Sequence, residues 1–215
     1  MRDEKHDHQL AAAGDPRWST VVELDFVHGV PMTAIPLVRS SAMRSLRRVA
    51  GVEVDVLAAL CSGAALPIRA IEASATPFVE RLDETQRDEL TSAIEHARGL
   101  PELRRLVLVA DSHQYHPPYL RWLVGSTLAG RLATLELAGF GSELDNWAEL
   151  LPDAHPALGE LVIRDGRGTA HFRRGDDGKL SALELDVRGA LVRHDPERRV
   201  AQIARHLLTT VTLTQ

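Results

Sequence analysis

Asp111, His113 and His116 fall close together in DSHQYHPPY, directly after the strongly apolar run LRRLVLVA. Imidazole and carboxylate are zinc-ligand types, and a loop that leaves a strand is a place where such donors converge. A protein zinc centre takes at least a third protein ligand; none stands nearby, and the spacing matches no familiar zinc signature. In a chain with ten histidines, pairs also arise by chance. These three residues are the candidate metal ligands of an alternative function, a small α/β metal-dependent hydrolase centred on the 111–116 loop. His6 and His8 belong to a polar leader and carry less.

Other residues that could do chemistry have simpler uses. Cys61 precedes Ser62 and Gly63 in an apolar run over residues 56–66, with no local histidine to activate a thiolate, and suits a buried, inert thiol. As the single cysteine it has no internal disulfide partner. Asp176 and Asp177 stand before Gly178 and suit a tight turn. There is no G-x-S-x-G elbow and no Walker phosphate loop; Gly139 and Gly141 in LAGFGSEL give a fragment of a dinucleotide fingerprint. Tyr115, Tyr119 and Trp122 form an aromatic group; Trp122 shares a helical stripe with Tyr119, which leaves Tyr115 as the candidate for an exposed contact. No catalytic residue and no cofactor is expected.

The totals bound the elements that must carry these side chains. The chain has 215 residues, 44% hydrophobic and 26% charged, enough to bury a continuous core. The formal net charge of -5 gives no reason to expect nucleic acid as a partner. Its lysines are Lys5 and Lys179, so arginine carries nearly all the positive charge; with many alanines this fits a GC-rich bacterial source. No signal peptide and no membrane-length apolar run is evident. A cytoplasmic location is expected.

One pattern recurs: an apolar residue, two variable residues, a second apolar residue, a variable one and a third apolar residue. It fits Val21, Leu24, Phe26; Ile68, Ile71, Ala73; Leu103, Leu106, Leu108; Leu132, Leu135, Leu137; Leu158, Leu161, Ile163; Leu180, Leu183, Leu185; and Leu208, Val211, Leu213. A weaker copy, Leu46, Val49, Gly51, fills the first gap. The eight starts are about 27 residues apart on average, inside the leucine-rich-repeat range of roughly 20 to 29. In each copy the last two apolar positions are two apart, as on one face of a strand.

The segments between copies mostly have helical spacing. Thr76 and Pro77 open a stretch with Phe78, Leu82, Leu90, Ile94 and Ala97 near one face, closed by Gly99 and Pro101; Asp83 with Gln86 could cap a second helix inside it. Residues 117–128, 144–151 and a segment opened by Asp195 and Pro196 read as further helices. Residues 164–179 are the exception, polar and turn-rich, and read as a strand with a DDG turn.

On these motifs, with LRRLVL, LATLEL, LGELVI and LSALEL the clearest, the chain resembles bacterial leucine-rich-repeat proteins of the ribonuclease-inhibitor-like type. The resemblance covers residues 21–213. It implies an α/β solenoid, with a parallel sheet on the concave side and helices or irregular segments on the convex side. Binding would use the concave strands or the loops at their ends. The family's Asn or Cys three residues after the third apolar position is missing; Gly29, Val54, Thr76, Asp111, Phe140, Gly166 and Arg188 stand there, so the repeats are divergent.

Residues 1–17 are expected to be a flexible polar lead and 18–215 a single repeat domain of about eight units, with Trp18 covering its first turn. The strand positions between the apolar ones carry Arg47, Arg48, Arg69, Arg104 and Arg105 early and Glu136, Glu160, Glu184 and Asp186 late. A face running from basic to acidic could steer a complementary partner; solvated strand faces are also charged simply for solubility. Apart from Asp186, these residues and Tyr115 are the candidate binding set of a non-catalytic protein-interaction or scaffolding module. The expected partner is a protein, with no nucleic acid and no membrane, and the chain is expected to be a monomer or weakly self-associating. A structural fragment of a larger solenoid is a further alternative.

Overall fold

The computed structural model describes residues 15–26, 35–74, 84–109, 126–138, 157–165, 168–176 and 180–187. They form an α/β protein with few helices and mostly parallel strand pairing. The chain divides into two compact units, Met1–Arg104 and Arg105–Gln215.

In the first unit, β1 (Glu23–Asp25), β2 (Arg48–Glu53) and β3 (Ala70–Ser74) pair in parallel in sequence order. Parallel neighbours need crossover connections. Helix α1 (Ile35–Val38) and a 3-10 turn at Ser41–Met43 lie between β1 and β2, and helix α2 (Val54–Ser62) between β2 and β3. The signature supplies the core: Val49 and Ile71 face each other in register, and both are buried with Leu46, Ile68 and Ala73.

The weaker copy needs one correction. Gly51 does not hold the third apolar position; the register shifts between Val49 and Val52, and Val52, fully buried, pairs with Ala73. The one-residue bulge rests on Gly51 at φ +69°, where an added Cβ would overlap the carbonyl oxygen of Phe26.

Helix α2 buries Val56, Leu57, Leu60 and Cys61 completely. It packs against helix α3 (Glu84–His96); the expected cap at Asp83 lies outside the described residues. The remainder of that expected helical stretch, residues 76–83, lies outside the described residues. Ile94 and Ala97 are buried as the spacing requires. Gly99 closes the packing: its N–H donates to Cys61 O at 2.7 Å, and a Cβ there would overlap Leu60 O. The Arg39 guanidinium donates to Ala59 O, satisfying a carbonyl in the last turn of α2.

At the start of the chain, Asp15 caps a 3-10 turn at Pro16–Thr20 by accepting from Arg17 N at 2.9 Å. Its carboxylate also binds the Arg17 guanidinium, and these bonds pull its pKa down to about 2. The turn packs on Ser41–Met43, with Trp18 half-buried.

In the second unit, β4 (Arg105–Val109), β5 (Thr134–Ala138) and β6 (Glu160–Asp165) are parallel. The second signature positions, Leu106, Leu135 and Leu161, form one row of the register; Leu108, Leu137 and Ile163 form the next. A 3-10 turn at Ala129–Arg131 leads into β5.

β7 (Gly168–Arg174) then returns antiparallel to β6, and β8 (Leu180–Val187) antiparallel to β7. The turn-rich stretch is therefore the strand its composition suggested, with a turn at Asp176. It changes the repeat. The copy at Leu180, Leu183 and Leu185 is not the next parallel neighbour of β6, because β7 intervenes. A register shift between β7 and β8 places Ala182 and Glu184 opposite consecutive residues, Phe172 and His171, with Leu183 between them. The copy at Leu208, and the expected helices at 144–151 and after Asp195, lie outside the described residues, as does all of 117–128 before Ser126.

Candidate functional site

The positions between the core residues of each strand form the sheet's other face. In the second unit its middle row runs Val107, Glu136, Val162, His171 across β4 to β7. A carboxylate between two nearly buried valines needs partners, since an unpaired buried charge is costly. Arg105 Nη2 lies 3.0 Å from Glu136 Oε2, and Arg164 Nη1 lies 3.1 Å from its Oε1. The Glu136 side chain is 8% exposed, those of Arg105 and Arg164 51% and 57%.

Glu160 forms a second centre. His171 Nε2 is 2.7 Å and Arg173 Nη2 3.5 Å from its Oε1, and the Thr134 hydroxyl lies 3.4 Å from Oε2. The bond from His171, more than the nearby positive charge, holds the Glu160 carboxyl below its ordinary pKa against the opposing effect of burial. Among the described side chains, the expected acidic second half therefore does not meet solvent as free carboxylates. Glu136 and Glu160 are sunk and neutralised, and arginines stand above them.

In the first unit, Arg48 lies between Glu23 at 3.5 Å and Glu72 at 3.6 Å. Arg69 Nε pairs with Glu102 at 3.1 Å. Arg47 and Arg104 instead turn back onto main chain: Arg47 Nη1 donates to Leu46 O at 3.0 Å, and Arg104 Nη1 to Leu103 O at 3.1 Å. The expected basic residues thus separate into paired ones (Arg48, Arg69, Arg105) and two whose guanidiniums serve only local carbonyls among the described residues (Arg47, Arg104).

Between α2 and α3 lies an open groove lined by Ser62, Asp88, Glu89, Ser92, His96 and Arg98, with the buried Cys61 beneath. The His96 ring is engaged by Ser92 O at 2.9 Å. Among the described residues no group of three His, Cys, Asp or Glu could hold a metal ion, and no helix is long and apolar enough to cross a membrane. Asp111, His113, Tyr115 and His116 lie outside the described residues. Glu184 and Asp186 are placed by backbone register alone, opposite His171 and Thr169.

Sequence reasoning missed Arg164, His171 and Arg173. Each takes its role from a cross-strand partner 11 to 28 residues away, and no local motif carries that information. A usable signal existed in part: once residues 164–179 are read as a strand, alternation brings His171 and Arg173 to one face.

No known protein family, curated protein or solved structure matches the chain.

Proposed function

We propose that the chain is a divergent leucine-rich-repeat-like solenoid with a non-catalytic task in the cytoplasm: holding a protein partner on its strand face or at the edge where the strands begin. What supports this reading most is a repeated backbone bond. In four copies the residue after the first apolar position donates its N–H to the equivalent residue of the copy before. Arg47 N donates to Val22 O at 2.7 Å, Arg69 N to Arg47 O at 2.8 Å, Arg104 N to Arg69 O at 3.0 Å, and Gly159 N to Ala133 O at 2.9 Å. Strands linked this way keep their signature positions on one side and carry charged side chains at the edges of the other, around a nearly buried middle row, and repeat proteins bind on such surfaces.

The test is a photo-crosslinking side chain introduced at Glu72, at Thr134 or at Asp88 and exposed to lysate of the source cell. A discrete partner crosslinked from Glu72 or Thr134, and not from Asp88 on α3, supports the strand face. Crosslinks confined to Asp88 would refute it. So would stoichiometric zinc in the purified protein together with a hydrolytic activity abolished by His113→Ala.

A further inference from the structure

The same backbone bonds bring three like charges together. Arg47, Arg69 and Arg104 occupy one equivalent place, directly after Leu46, Ile68 and Leu103, and their main chains are linked in series by the bonds from Arg104 N to Arg69 O and from Arg69 N to Arg47 O. Neighbouring strands lie about 4.8 Å apart, so the three side chains leave the backbone within about 10 Å of one another. Like charges on adjacent strands repel.

The fold makes only light use of these arginines. The linking bonds use N–H and C=O groups that any residue except proline supplies. The side-chain bonds of Arg47 and Arg104 go to local carbonyls, and the acid reaching this column among the described residues is Glu102, on Arg69. Arg69 and Arg104 are exposed. Three like charges side by side, met by a single acid among the described residues, in a chain of net charge -5, point to a ligand.

Resting on the protein-binding reading above, we propose that Arg47, Arg69 and Arg104 form the docking line for an acidic, Asp- or Glu-rich segment of the partner. Carboxylates suit the guanidinium fork, which offers five donors in a plane. Nucleic acid is the poorer fit. Three arginines are few for a phosphate backbone, the chain as a whole is acidic, and the column carries no aromatic residue on which a base could stack.

The experiment measures fluorescence anisotropy of a labelled poly-glutamate peptide with the full chain, at rising salt. Controls are a poly-glutamine peptide and a single-stranded oligonucleotide. Saturable binding of poly-glutamate, weakened about tenfold or more by Arg69→Gln/Arg104→Gln with an unchanged melting temperature, is the expected result. Arg69→Lys/Arg104→Lys should retain part of the affinity that the glutamine variant loses, since Lys keeps the charge and loses the fork. Undiminished binding by the glutamine variant, absence of binding, or tighter binding of the oligonucleotide would overturn the proposal. The two readings fail separately. A crosslinked partner that the glutamine variant holds as well as wild type leaves the binding module standing and removes the arginine column from it. Column-dependent poly-glutamate binding without any crosslinked partner supports the column and not the module.

Discussion

Glu136 on β5 is fixed to Arg105 on β4, with Oε2 3.0 Å from Nη2, although the two are not opposite in the register: Glu136 faces Val107, and Arg105 faces Thr134. The ion pair is diagonal and sews the strands together across a row, while Arg164 closes on the same carboxylate from β6. Removing both arginines leaves a nearly buried charge without a counter-ion. We expect Arg105→Ala/Arg164→Ala to destabilise the protein by about 2 kcal/mol or more in urea titration, at the low end for buried pairs because the guanidiniums are half-exposed. Adding Glu136→Leu should recover most of that loss, because an apolar residue between Val107 and Val162 asks for no partner. A triple variant no more stable than the double would show that the carboxylate is not the source of the cost.

The φ of +69° at Gly51 and the crowding against Phe26 O make this the least substitutable position of β2. Gly51→Ala should cost about 2 kcal/mol or more, combining backbone strain with a main-chain clash. Gly130, where an added Cβ meets nothing within 4 Å, serves as the control: Gly130→Ala should leave stability within about 0.5 kcal/mol of wild type or raise it slightly. Chemical denaturation of the two variants side by side decides it, and equal losses would rule out the bulge as the reason.

These two positions also mark the limits of what was legible in the sequence. The apolar triplets place Val49 and Ile71 in the first unit, and Leu106, Leu135 and Leu161 in the second, as matched core positions, because burial on one side of a strand imposes a period that survives in composition. Gly51 matches the third position of its triplet because a bulge inserts a residue without altering the pattern around it. Leu180, Leu183 and Leu185 matched the signature yet lie beyond β7; apolar spacing reports which side of a strand is buried, not which strand lies next to it. The candidate surface was legible residue by residue and illegible as pairs. Glu136 and Glu160 were recognised as strand carboxylates, but the arginines and histidine that neutralise them arrive through cross-strand register.

Burial along the signature predicts a graded response to truncation. Leu135 is 2% exposed, whereas Leu24 on β1 is half-buried. Leu135→Ala should cost about 3 kcal/mol and Leu24→Ala about 1 kcal/mol, since transfer and cavity costs both scale with burial. Comparable losses at the two sites would mean that Leu24 is as enclosed as the later members of its row.

Glu160 predicts how stability changes with acid. Its carboxyl titrates below the ordinary 4.5 in the folded protein, chiefly because His171 hydrogen-bonds the charged form. A depressed carboxyl stabilises the fold fully above the unfolded-state pKa and loses that contribution as pH falls through the folded one, because the unfolded chain takes up the proton first. Urea unfolding measured from pH 7 to pH 3 should therefore show wild type losing stability as the pH drops below about 5. Glu160→Gln should be less stable than wild type at pH 7 and show a shallower acid slope, so that the two curves converge at low pH. Parallel curves would mean that the proton-linked stability resides in another carboxylate, with Asp15, also held low, the next to replace.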